Sequence, residues 1–245
     1  MRKERHIFGI HPVEEAVKSD ITIDKVYIQK DIPNAKITAL LETLEIQNVT
    51  INYVPEEKLN RLTRGNHQGI VAVTSPIEFS TLDNVVETAL AKDTLPMFVI
   101  LDQISDVRNF GAIIRTAECT NVDAIIVQKK GGAPITGDTV KTSAGAIFNI
   151  PICKVDHIKD AIFYLQSSGI SVVAATEKTD ETIYDIDFKK PMAIVMGSEG
   201  KGVSKSVLNL VDEKAALPLL GEINSLNVSV ACGAFLYEAV RQRQS

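Results

Sequence analysis

From residue 96 onward the chain repeats apolar runs that are continuous rather than alternating: PMFVIL, VDAIIVQ, FNIPICKV, ISVVAAT, PMAIVM and AALPL. A strand that is apolar at successive positions has to be covered on both faces, which an alternating strand does not require. The segments between these runs, FGAIIRTAECT, GDTVKTSAGA, DHIKDAIFYLQSS and SKSVLNLV, have helical apolar spacing. Strands alternating with helices predict an α/β domain built on a doubly covered parallel sheet. No fixed-period repeat or low-complexity segment competes with this organisation.

Residues 1–75 have a different rhythm. HPVEEAVKS, NAKITALLETLEI and PEEKLNRL (Pro55 at its start) read as helices, and DKVYIQK, VTINYV and QGIVAVTS as strands, together a small α/β domain. PIEFSTLDNVVETALAKDTL, residues 76–95, is polar with some helical periodicity and reads as a linker with a short helix. Residues 96–245 form the larger domain. A hydrophobic fraction of 45% and a charged fraction of 23% belong to an ordinary globular chain. No apolar run approaches the roughly 20 residues of a membrane helix, and the N-terminal MRKERHIFGIH lacks the apolar stretch of a secretory signal. Cys119, Cys153 and Cys232 are scattered among apolar neighbours, as expected of free thiols in a reducing cytoplasm rather than of a disulfide or zinc framework. A net charge of −5 offers no bulk attraction for nucleic acid, although a local basic patch would suffice.

Three loops follow strand ends in the larger domain. DQISDVRNFGAIIRT contains Asn109 and Arg115. MGSEGKGVS contains Gly197 and Glu199. The stretch Leu217–Arg243 places Asn224, Ser225 and Asn227 at a helix start. In open parallel sheets such loops converge on one crevice, and three hydrogen-bonding side chains exceed what a single helix cap uses. The bland readings are a plain glycine turn for GSEGKG, a solvated arginine for Arg115 and a surface carboxylate for Glu199. GSEGKG has the spacing G-x-x-G-x-G rather than that of a dinucleotide turn, and no P-loop or G-x-S-x-G elbow occurs. His6, His11, His67 and His157 lie outside these loops without metal-ligand spacing. Together the loops suit a polar organic cofactor and the orientation of a group for transfer.

NFGAIIRTAE, IVMGSEGKGVS and LPLLGEINSLNVSVACGAFLYEAVRQR, in this order, resemble the three motifs of the SpoU/TrmH (SPOUT) class of RNA ribose 2′-O-methyltransferases. The resemblance spans residues 96–243 and implies a deep trefoil knot that periodicity alone does not suggest. IFGIHPVEEAV and NHQGIVA resemble the N-terminal substrate-binding domain of the RlmB-like subgroup, which methylates guanosine in 23S large-subunit rRNA and whose domain is similar to ribosomal-protein-like RNA binders. The family implies S-adenosyl-L-methionine as methyl donor, with Gly197, Leu217 and Leu226 in contact with it and Thr176 beside it. It implies catalytic roles for Arg115, Asn109, Glu199, Ser225 and Asn227, and a cytoplasmic homodimer joined through the C-terminal helix. Ala231, Gly233 and Ala234 form the packable surface of that helix, beside Phe235, Leu236 and Ala239. The partner it implies is RNA, rRNA in preference to tRNA, with neither DNA nor membrane. A tRNA guanosine methyltransferase, a non-catalytic RNA- or ribosome-binding protein of the same fold, and a nucleotide-dependent enzyme on an unknotted sheet are the alternatives.

One position departs from the pattern: Val107 stands where the first motif has proline. RNA contacts are expected at the basic groups RKERH, Lys129–Lys130, Lys201, Lys205, Arg241 and Arg243, and on the loop bearing Arg61, Arg64, Asn66 and His67.

Overall fold

The computed structural model describes residues 6–19, 21–30, 35–47 and 49–244. It divides into two compact units, Met1–Glu78 with Ile135–Gly137, and Phe79–Pro134 with Asp138–Ser245.

The first unit runs β1 (His6–Phe8), α1 (Ile10–Lys18), β2 (Ile23–Gln29), α2 (Ala35–Ile46), β3 (Thr50–Val54), α3 (Glu56–Leu62) and β4 (Ile70–Thr74). Its sheet has the order β1-β4-β2-β3, with β2 and β3 parallel and β4 antiparallel to both its neighbours. Val13, Val17, Val26, Ile28, Leu40, Leu44 and Ile70 close the core between helices and sheet. The strand β1 has only three residues and no alternation to betray it; it forms because His6, Ile7 and Phe8 pair with Val73, Ala72 and Val71.

The second unit comprises α4 (Leu82–Leu90), β5 (Met97–Asp102), α5 (Val107–Cys119), β6 (Ala124–Gln128), α6 (Gly137–Thr142), β7 (Ile152–Val155), α7 (Ile158–Ser167), β8 (Ser171–Ala175), β9 (Met192–Gly197), α8 (Lys205–Leu208), β10 (Glu213–Ala215) and α9 (Val228–Arg243). Its six strands are all parallel, in the order β10-β8-β9-β5-β6-β7. Every residue of β5 and of β9 is buried, which accounts for their unbroken apolar sequences. The order reverses between β5 and β9, whose last residues, Asp102 and Gly197, pair. That is the position at which an open α/β sheet leaves a crevice at its carboxyl edge.

Three local readings change. The short helix expected within the linker is present as α4, but it is no free spacer: its Val85, Val86 and Ala89 are buried with Phe98, Ile158 and Ile162 in the second core. Its anchors are three small or β-branched residues that a polar surrounding masks. The strand expected at AALPL is Glu213–Ala215 instead, since Ala216 leaves β8 and pairs with the 181–183 segment, its N–H donating to the Glu181 carbonyl at 2.8 Å. DVRN, read as a turn, already belongs to α5 from Val107.

Candidate functional site

Helix α5 starts at Asp106, whose carboxylate accepts from the backbone N–H of Arg108 (2.8 Å) and Asn109 (2.9 Å). Val107 is therefore the first helical residue, the position where proline is favoured but no N–H partner is lost by its absence. The departure from the motif leaves the cap intact. Asn109 lies in the first turn and is 8% exposed.

Helix α9 starts at Asn227. Its Oδ1 accepts from Ser229 N–H (2.9 Å) and the Ser229 hydroxyl (2.6 Å), which caps the helix. Its Nδ2 donates to Asn109 Oδ1 (2.9 Å) and to Glu199 Oε1 (2.6 Å). One amide thus holds the starts of two helices and the glycine loop after β9 together. The loop folds on itself: Gly202 N–H donates to the Ser198 carbonyl at 2.8 Å. A Cβ on Gly197 would overlap the Gly202–Val203 peptide, so only glycine permits this approach. Beneath it, buried Asp102 accepts from Ser204 N–H at 2.7 Å, fixing the far end of the loop to β5.

Beside this junction lies a cavity of about 440 Å³. Thr176, Gly197, Leu217 and Leu226 all line it, and so do Glu199 and Ser225. The volume falls within the range of about 300–1,000 Å³ common for small-ligand sites. Asn109 and Asn227 adjoin it through Glu199. Arg115 does not: it is exposed on α5 and has no hydrogen-bond or ion-pair partner among the described residues. Six positions separate it from Asn109, about 9 Å along the helix and about 120° around it. The sequence also left Asp102 and Glu177 unnamed. The first closes an apolar strand as its one charged residue; the second lies two residues past β8, on the cavity wall.

Several basic or polar residues expected at RNA are committed elsewhere. Lys129 pairs with Asp156 at 2.9 Å, and Arg241 forms a two-point contact with Glu238 at 2.7 and 2.8 Å. That contact holds the Glu238 carboxyl below its usual range. His67 is buried; its Nδ1 accepts from Gly69 N–H (3.0 Å), so Nε2 carries the proton and donates to Asn60 Oδ1 (3.1 Å). Arg61, Arg64 and Asn66 are exposed in the same stretch, as are Lys201 and Lys205. Of the RKERH group, Arg2, Lys3, Glu4 and Arg5 lie outside the described residues.

On α9 the expected small residues divide between the two faces. Phe235, Leu236 and Ala239 are buried, and Gly233 packs against Thr116 of α5. The exposed stripe is Val230, Ala234 and Tyr237, with Val230 and Tyr237 each 57% exposed. Leu220 and Ile223, on the segment leading into the helix, are also exposed. Among the described residues no helix is long and apolar enough to cross a membrane, and no group of His, Cys, Asp or Glu is placed to hold a metal.

Residues 96–237 match the SpoU rRNA Methylase family, and residues 6–80 match the family described as RNA 2′-O ribose methyltransferase substrate binding. A Bacillus subtilis protein assigned to the TrmH family of tRNA/rRNA methyltransferases is 34% identical, over 97% of this chain and 96% of that one. Among solved structures, the AdoMet-bound rRNA methyltransferase of Sinorhizobium meliloti aligns with a TM-score of 0.62 at 25% identity, covering 98% of this chain and 87% of its own. The TrmH/SpoU tRNA modifying enzyme of A. aeolicus aligns with a TM-score of 0.57 at 31% identity, covering 66% and 82% respectively.

Proposed function

The chain belongs to the SpoU rRNA methylase family, and on that premise we propose that it transfers a methyl group from S-adenosylmethionine to a ribose 2′-hydroxyl of RNA, a guanosine of 23S rRNA being the favoured target. The observation that carries the reading is the Asn109–Asn227–Glu199 junction set against the 440 Å³ cavity. The cavity fits the cofactor: its walls are strand ends and bare glycine backbone, able to address adenosine through peptide groups, and Gly197 lets the loop fold back tightly at its edge. Gly197, Leu217 and Leu226 would hold it, with Thr176 alongside. When bound there, S-adenosylmethionine supplies an electrophilic methyl group whose leaving group needs no acid.

The protein's part is to place the acceptor hydroxyl and stabilise the charge that grows on it. Asn109, Glu199, Ser225 and Asn227 orient the ribose. Arg115 stays protonated and is the fixed cation that grips the target phosphate and faces the developing alkoxide. Its separation from Asn109 around α5 supports a homodimer in which Arg115 serves the neighbouring copy's site. The uncovered apolar stripe Val230–Ala234–Tyr237 supports α9 as the contact between copies. The deep trefoil knot belongs to the same proposal, with 217–227 threaded through another loop of its domain.

For the target, support comes from the first unit. The rRNA methyltransferase of S. meliloti covers 98% of this chain and so includes that unit, whereas the tRNA modifying enzyme covers 66%. Exposed Arg61, Arg64 and Asn66 are that unit's RNA-facing candidates. Ribose-methylation mapping of rRNA and tRNA from cells with and without the protein tests the choice. Loss of one site in large-subunit rRNA is the expected result. A lost tRNA site instead moves the assignment to tRNA, and no lost site together with no cofactor binding leaves only an RNA-binding role.

A further inference from the structure

Glu177 is exposed on the wall of the cavity, just past the end of β8. Its carboxylate has no hydrogen-bond or ion-pair partner among the described residues, even though Lys178 and Lys201 line the same space. Glu199, the other carboxylate there, is already engaged by Asn227. Strands β8 and β9 run parallel with Ala174 opposite Val195, so Glu177 and the glycine loop after Gly197 stand at neighbouring strand ends. A Cβ built on Gly202, whose φ is +66°, would come 4.0 Å from Glu177 Oε2. The carboxylate therefore stands on the cavity wall beside the bare backbone of the glycine loop, within van der Waals reach of where a side chain at 202 would begin.

A free carboxylate is an acceptor only, and its complement is a donor pair such as a diol. An acid at one strand end beside a glycine loop at the next is how other parallel α/β sheets hold a nucleoside: backbone approaches the ligand from the loop, and the acid takes the ribose hydroxyls. We propose that Glu177 is the ribose-reading residue of the cofactor site, accepting from the 2′- and 3′-hydroxyls of the nucleoside. This rests on the S-adenosylmethionine reading of the same cavity. Glu177 would thereby set cofactor affinity and the preference for a ribonucleoside, without touching the methyl transfer itself.

The test is calorimetric titration of the full chain with S-adenosylhomocysteine and its 2′-deoxy and 3′-deoxy analogues. The wild-type protein should bind each deoxy analogue about tenfold more weakly, the loss typical of one hydrogen bond to a charged group. Glu177→Ala should bind the parent compound about tenfold more weakly and no longer distinguish the three, with Glu177→Gln between them. In turnover, Glu177→Ala should raise the cofactor KM and leave kcat near its original value. If Glu177→Ala weakens all three ligands equally and keeps the wild-type ratios, the residue contributes charge alone and the inference is overturned. Equal wild-type binding of parent and deoxy compounds overturns it as well. A wild-type chain that binds S-adenosylhomocysteine in no measurable amount sinks the methyltransferase reading itself and this inference with it, which is a separate outcome.

Discussion

The outer face of α5 and the last turn of α9 each present an arginine on a helix with core-like neighbours, and the two have opposite fates. Arg243 gives its guanidinium to four backbone carbonyls: Nε to Phe188 (3.0 Å), Nη1 to Leu95 (2.6 Å), and Nη2 to Pro96 (3.2 Å) and Lys190 (2.9 Å). Burial lowers its pKa, while Gln242 beside it bonds Ile186 and Phe188. The end of α9 is thus pinned to the segments that lead into β5 and β9. Arg115 keeps every donor. A guanidinium that gives four of its five donors to the backbone holds a fold; one that has none engaged is available to a substrate.

Mutation can break that contrast. The largest effect is expected at Arg115→Ala, with methyl transfer down at least about a hundredfold because the charge-stabilising cation is gone, and with an unchanged melting temperature. Arg115→Lys should lose most of the activity too, since an ammonium cannot reproduce the planar fork. Near-normal turnover with unchanged RNA affinity in that variant would remove Arg115 from the site. If Arg115 works across the dimer, mixing inactive Arg115→Ala and Glu199→Ala chains should restore activity through hybrid dimers.

Arg243→Ala should do the reverse. Four carbonyls lose their donor, a cost of about 2–3 kcal/mol, or about 5–10 °C in melting temperature for a chain of this size, with kcat within twofold of wild type. Calorimetry showing no destabilisation would put Arg243 back among the RNA contacts. Asn227→Ala stands between the two regions. Loss of the cap costs about 1 kcal/mol, and release of Asn109 and Glu199 should lower turnover about tenfold.

The smallest effect is a titration. Burial pushes the thiols of Cys153 and Cys232 up to about 12. Below pH 9 both are protonated whether the chain is folded or not, so they leave stability unchanged there. Between pH 9 and about 12 the unfolded chain binds fewer protons than the folded one, and stability falls as pH rises. Cys232→Ala should flatten that decline in denaturant midpoint, and thiol reagents should label exposed Cys119 in the folded protein before either buried cysteine.

The candidate site was legible wherever a residue type had a local reason for its position. Asn227 and Ser225 stood out at a helix start, and Gly197 and Glu199 in a glycine loop at a strand end. Asp102 was not, because a single carboxylate closing an apolar strand looks like an ordinary strand terminus until Ser204 is seen above it. Nor was the packing of α4, expected as a short linker helix, because its three core residues sit in a polar surround. On α9 the small residues fell on both faces, Gly233 against α5 and Ala234 on the exposed stripe. Close packing demands small residues on either side of a helix, so their presence cannot tell a core from an interface.

By itself the sequence determined the parallel sheet, its crevice and the loops that border it, since unbroken apolar runs and turn residues are properties of a few consecutive positions. Tertiary structure alone decided which polar groups remained available. The bond from Asn227 to Asn109 spans 118 positions and that from Arg243 to Leu95 spans 148. Whether a side chain is engaged depends on donors and acceptors that distant segments bring to it. That is why His67, Lys129, Arg241 and Arg243 proved committed and Arg115 and Glu177 did not.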